Sequence, residues 1–162
     1  MKKVAQFFKV SEEQFNKDLS NQGLTANYND IILPYRATTG SAGYDFYSPF
    51  AFTLNSGETI TVPTGIRSKI EEGYFLAIYP KSGLGFKYRL RLENTVGIID
   101  SDYYFSSNEG HIMIKITNCS PDKTLIIEKG KAFAQGVFTE YFITVDDDAN
   151  GVRNGGFGST GK

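Results

Sequence analysis

This sequence predicts an all-β domain of antiparallel strands arranged as a sandwich or barrel, with one short helix near its start. Three observations carry the prediction. From about residue 59 the chain breaks into short runs rich in β-branched and aromatic residues, including "TITV", "GIRSKI", "YFLAIY", "TVGII", "HIMIKIT", "TLIIE" and "FAQGVFTEYFITV". Gly, Pro, Asn or Asp punctuates them, and no helical crossover separates one run from the next. The composition agrees: aromatics make up 14%, all Phe and Tyr, and there are 17 Gly, a mixture suited to strands and tight turns.

Taken in order, "VAQFFKV" (4–10) reads as the first strand. In "SEEQFNKDL", Ser11 and Gln14 have capping-box spacing while Phe15 and Leu19 lie one helical turn apart, which predicts a helix over 11–20. A polar connector runs to Asp30, after which helical periodicity ends. Ile112, Ile114 and Ile116 alternate at period two and should share one face of a strand. The acidic run "DDDAN" (146–150) reads as a solvated hinge, and the Gly-rich tail beyond it cannot bury enough surface to order itself. The expected organisation is a β domain over 1–145, then a hinge and flexible tail over 146–162. At 162 residues one domain is expected, without internal repeats.

Global features exclude several classes. Net charge is −1, so neither nucleic-acid nor membrane-surface binding is expected, and an anionic ligand must be met by local cations. Cys119 has no cysteine partner, no apolar leader follows Lys2 and Lys3, and no apolar run approaches the length of a membrane span. A reducing cytoplasm is the expected setting. "GGFGSTGK" (155–162) has the spacing of a phosphate-binding P-loop, but no Ser or Thr and no helix follow Lys162. A P-loop is therefore not expected.

Five stretches could carry chemistry. In "GSAGYDF" (40–46), Asp45 fits an Asx turn before a strand as readily as a ligand site. In "PKSGLGFK" (80–87), backbone amides, the Ser82 hydroxyl and Lys81 could cup phosphate oxygens, or the segment could be an ordinary turn. In "LENTVGIIDSDYYF" (92–105), Asp100 leaves the sheet directly after Ile98 and Ile99. A carboxylate there is a candidate general base, although hairpin-turn chemistry is open to it too. In "GKAFAQGVF" (130–138), Gln135 stands between Ala134 and Gly136, small residues that suit close approach of a ligand or another backbone. The fifth is the tail, with Arg153, Phe157, Ser159 and Thr160 among glycines.

In this order, "AGYDF", "PKSGLG", "NTVGIIDSDY", "GKAFAQ" and "GGFGSTG" resemble the five motifs of the homotrimeric dUTPases, from about Ile31 to Gly161. The resemblance implies a jelly-roll-like β-barrel and hydrolysis of dUTP to dUMP and pyrophosphate. It implies that Asp100 deprotonates the attacking water, and that Mg²⁺ is held mainly by the substrate phosphates, with Asp45 reaching it through water. Ser82 and Gln135 match phosphate-binding groups, assisted by the backbone of Lys81 and Gly83. Asn94 and the main chain around Ile98 and Ile99 match the uracil reader, and Met113 matches a further backbone contact to the base. Tyr103 matches the ring against the deoxyribose. Phe157 would stack on the base, Gly158, Ser159 and Thr160 would close over the phosphates, and Arg153 would meet the γ-phosphate. The homotrimer implied would share its three sites, the tail arriving from a different subunit than Asp100.

The chain departs from the family pattern in places. Lys81 replaces the usual Arg, a helix is inserted at 11–20, and "YFSSNEG" implies an enlarged hairpin tip at 104–110. Two rivals stand beside the hydrolase. A dCTP deaminase shares the fold but needs a Glu where this chain has Lys115, and an ammonium cannot shuttle protons as a carboxylate does. A nucleotide-sensing module with a regulatory protein partner is the other.

Overall fold

The computed structural model describes residues 1–153 and 155. Strand β1 (Ala5–Lys9) leads into α1 (Glu12–Asn21), then β2 (Tyr44–Tyr47), β3 (Phe52–Leu54), β4 (Thr59–Pro63), β5 (Ile66–Ile70) and β6 (Tyr74–Pro80). Helix α2 (Ser82–Tyr88) follows, then β7 (Leu90–Leu92), β8 (Gly97–Ile99), β9 (Met113–Asn118), β10 (Leu125–Ile127) and β11 (Ala132–Glu140). All named strand pairs are antiparallel. The hydrogen bonding falls into separate sheets, a four-stranded one of order β2-β11-β6-β8, a three-stranded one of order β4-β9-β7, and the pairs β1-β5 and β10-β3. The expected jelly-roll-like architecture is present, but the ladders do not close into a continuous barrel.

Between the sheets lies one core, in which Phe15, Phe46, Leu76, Ile78, Ile116 and Phe133 are nearly inaccessible to water. Strand β6 lies inside the large sheet with neighbours on both edges, and its Leu76–Ile78 segment is buried on both faces. In β9 the alternation works as written: Ile114 and Ile116 are buried while Lys115 is exposed.

Helix α1 matches the predicted helix, but its cap is only half the expected box. The Ser11 side chain accepts from the Gln14 amide at 3.1 Å. Gln14 does not return the bond; its Nε2 donates to Asp18, and Glu109 accepts from the Ser11 amide instead.

Four expectations need correction. The 80–87 segment contains a helix, α2, despite two glycines that each disfavour helix by about 1 kcal/mol. Packing overrides propensity there: Leu84 and Tyr88, one turn apart, lie against the core, and Arg89 at φ 53 closes the helix. The hairpin turn left open to Asp100 does not form, because β8 pairs with β6 while β9, the next strand, pairs with β4 and β7. Residues 104–110 are not an enlarged hairpin tip but the end of a 3-10 helix (Ser101–Phe105) and the turn that follows it. Finally, the last predicted strand stops at Glu140, leaving Phe142, Ile143 and Val145 exposed.

Candidate active site

A cleft of about 320 Å³ opens where β8, the 3-10 helix and the start of β9 meet. Seven of the predicted residues line it: Asn94, Ile98, Ile99, Asp100, Tyr103, Met113 and Arg153. Ile78, Leu92, Ile112 and Ile114 form its apolar lining, and Glu93 and Lys115, which the sequence did not mark as binding residues, also border it.

The corner between β7 and β8 carries Asn94. Thr95 there adopts φ 66, a left-handed conformation uncommon for a β-branched residue, and its amide donates to the Leu92 carbonyl at 3.0 Å. Such strain is of order 1–3 kcal/mol and persists only where surrounding contacts fix it. Past the corner, Ile98 is 52% exposed. A strand that buried all its apolar side chains would hide this residue, so β8 presents an apolar face to the cleft.

Asp100 is the first residue after β8 and stands at the cap position just before the 3-10 helix. Its carboxylate is half exposed and accepts from Nη2 of Arg153 at 2.5 Å, while Nε of Arg153 donates to Asp102 at 2.7 Å. The resemblance placed Arg153 in a neighbouring subunit's site; here it meets carboxylates of its own chain. Two adjacent anions attract the guanidinium.

Tyr103 is 6% exposed and held by its hydroxyl. The hydroxyl donates to the His111 carbonyl at 2.8 Å and accepts from Asn108 Nδ2 at 2.8 Å. Burial, above all, raises its pKa beyond the ordinary phenol value, so the ring stays neutral. The Arg153 guanidinium lies 5.9 Å from the ring centroid.

Lys81, Asp45, Gln135, Ser82 and Gly83 form a second group. Lys81 Nζ donates to both oxygens of Asp45 at 2.8 and 3.0 Å, a pairing that sequence spacing could not show. Gln135 lies opposite Asp45 on β2 and Tyr79 on β6, and its Nε2 donates to the Pro80 carbonyl at 3.2 Å. Ser82 and Gly83 open the first turn of α2, where amides lack intrahelical acceptors. The Lys81 amide already donates to the Phe133 carbonyl. The smallness of Gly136 has a structural cause: a Cβ there would meet Leu76 Cδ1 at 2.8 Å, so core side chains occupy that space. Phe157, Gly158, Ser159 and Thr160 lie outside the described residues.

The two groups are well separated along β6. Ile99 faces Leu76, which precedes Lys81 by five residues, roughly 16 Å of strand. Asp100 continues away from Lys81.

Among the described residues no three His, Cys, Asp or Glu side chains gather to hold a metal. Asp45, a single hard carboxylate, suits an outer contact to Mg²⁺, an ion that keeps several waters and prefers phosphate oxygens.

Comparison with known proteins decides the family. The dUTPase family profile matches residues 29–161. This chain belongs to the dUTPase family. A deoxyuridine 5'-triphosphate nucleotidohydrolase of Lactococcus lactis is 41% identical over 135 residues, covering 81% of this chain and 89% of its own. The crystal structure of dUTPase from Streptococcus mutans superposes with TM-score 0.67 at 29% identity, covering 85% of this chain and 97% of that one. At the level of fold alone, a variant dUTPase from phage phi11 of S. aureus, described with a structural Mg(II) ion, gives TM-score 0.65 at 20% identity, covering 92% and 98%.

Proposed function

We propose that this dUTPase hydrolyses dUTP to dUMP and pyrophosphate in a Mg²⁺-dependent reaction, at sites shared between the subunits of a homotrimer in the cytoplasm. The observation that carries the reading is Asp100 at the rim of a cleft that also presents Asn94, exposed Ile98 and buried Tyr103.

Uracil enters the cleft. Asn94 and the main chain around Ile98, Ile99 and Met113 offer it donors and acceptors, a pattern that cytosine mismatches. The Tyr103 ring packs on the deoxyribose and leaves no room for a 2′-hydroxyl. Asp100 accepts a proton from water as that water attacks the α-phosphorus, and the bond to the bridging oxygen breaks to release pyrophosphate. Mg²⁺, when bound, neutralises phosphate charge and helps pyrophosphate to leave. Arg153 exchanges its carboxylates for the γ-phosphate, and Phe157 stacks on the base while Gly158, Ser159 and Thr160 close over the phosphates.

The spacing along β6 supports a shared site. A triphosphate whose α-phosphorus sits beside Asp100 does not reach the Ser82 and Gln135 of the same chain. In a threefold assembly a neighbour's Ser82, Gly83 and Gln135 can face that cleft equivalently at each site. Asp45 of the same neighbour, already accepting from Lys81, would be the carboxylate that contacts Mg²⁺ through water.

The test is a panel of dUTP, dCTP, dTTP and UTP, each with Mg²⁺ and with chelator. Pyrophosphate and dUMP from dUTP with Mg²⁺, and little turnover of the others, are expected. Ammonia from dCTP would mean a deaminase, and no turnover of any would remove the enzyme reading.

A further inference from the structure

Helix α1 and the turn over 105–111 take no part in the chemistry above, yet each is fastened to the other at both ends of the helix. At its start, Glu109 accepts from the Ser11 amide at 2.7 Å and from the Ser11 hydroxyl at 2.6 Å. Glu109 holds this position at φ 59, an uncommon conformation for a residue with a Cβ. At the other end, Asp18 Oδ2 lies 2.5 Å from His111 Nδ1 and accepts from Gln14 Nε2 at 2.8 Å.

His111 is fully buried, and its Nε2 accepts the Gly65 amide at 2.8 Å. An amide can only donate, so the ring carries its proton on Nδ1, aimed at Asp18. Both ring nitrogens are thereby fixed, and the backbone of His111 with them. That backbone carbonyl receives the Tyr103 hydroxyl, and Asn108 from the same turn donates to the same hydroxyl. A continuous path of hydrogen bonds joins α1 to the tyrosine of the cleft.

We infer that α1 and the 105–111 turn form a brace that sets the position of Tyr103, with Asn108 and His111 as positioning residues and Asp18 as the helix's hold on them. The inference rests on the proposed packing of Tyr103 against the deoxyribose. A steric filter is only as selective as its wall is stiff. A ring held at its hydroxyl resists a 2′-hydroxyl that an unbraced ring would move aside to admit.

The experiment uses the full-length protein and measures kcat and KM for dUTP and UTP, with thermal melting alongside. Asn108→Ala and Asp18→Ala should each raise the UTP-to-dUTP ratio of kcat/KM about three- to tenfold, the size of one net hydrogen bond, with the change falling mainly on KM. Asp18→Asn keeps an acceptor for Nδ1–H and should restore the ratio. Combined with Tyr103→Phe, which removes the hydroxyl the brace grips, neither alanine variant should raise the ratio further. A lowered melting temperature with an unchanged ratio in both alanine variants would overturn the brace. Should Asp18→Ala not fold, Asn108→Ala decides alone. If Tyr103→Ala itself leaves the ratio unchanged, the sugar reading has failed instead, and the two failures are thus distinguishable.

Discussion

The guanidinium of Arg153 donates to the carboxylate of Asp100 at 2.5 Å, pairing the proposed phosphate ligand with the proposed base. A carboxylate held this way is screened from the attacking water until the arginine finds a better anion. A triphosphate is such an anion, so substrate would release its own base. Arg153→Ala should therefore weaken dUTP binding by tenfold or more, about 1.4 kcal/mol or above, the loss of a charge-assisted contact. dUMP has no γ-phosphate to offer and should bind as well or better. Titration of both ligands checks this; equal weakening of the two would show that Arg153 does not discriminate by the terminal phosphate.

Tyr103→Ala should admit the ribonucleotide. The wild-type ring is buried and immobilised, so its removal opens space beside the sugar rather than merely loosening the cleft. The UTP-to-dUTP ratio of kcat/KM should rise by tenfold or more, since steric exclusion of one hydroxyl in a rigid pocket contributes about 1–3 kcal/mol. An unchanged ratio would mean that another group reads the sugar.

Acid should release α1 before the β core. Burial opposes ionisation of Asp18, but hydrogen bonds from His111 and Gln14 outweigh it and hold the carboxyl below its usual range. The hydroxyl and then the amide of Ser11 depress Glu109. Groups depressed on folding contribute stability above their unfolded values, near about 4 to 4.5, and lose it as pH falls through the folded values. Hydrogen exchange at the α1 amides should accelerate relative to β6 amides below about pH 4, and Glu109→Gln should flatten that dependence. A parallel response of helix and strand would contradict the assignment.

How far the sequence could be read depended on the range of the forces involved. Local periodicity was enough for Ile114 and Ile116 in β9, for Phe15 and Leu19 in α1, and for Asp100 at the end of a strand. Three-residue strands such as β3 and β7 span too little chain to show a period. Helix α2 forms against its own propensity because Leu84 and Tyr88 find the core, which no local pattern reveals. The Asp45–Lys81, Asp18–His111 and Asp100–Arg153 pairs join residues 36, 93 and 53 positions apart, so their partners become apparent only in the fold. The same holds for Gly136, whose smallness serves Leu76 and Phe46 rather than a ligand.

The central claim, a catalytic site built from Asp100 of one subunit and the Ser82–Gln135 group of another, is tested most directly by mixing two inactive proteins. Asp100→Asn alone should lose about 10²–10⁴-fold in turnover, as removal of a general base does. The double variant Ser82→Ala with Gln135→Ala should also be nearly inactive. Unfolded together in equal amounts and refolded, the chains make a working site wherever a double-variant chain contributes Asp100 and an Asp100→Asn chain contributes Ser82 and Gln135. Random assembly gives one half times one half, so about a quarter of wild-type dUTP turnover should return. If native mass spectrometry confirms hybrid trimers and no turnover returns, each chain uses its own Ser82 and Gln135, and the shared site is contradicted.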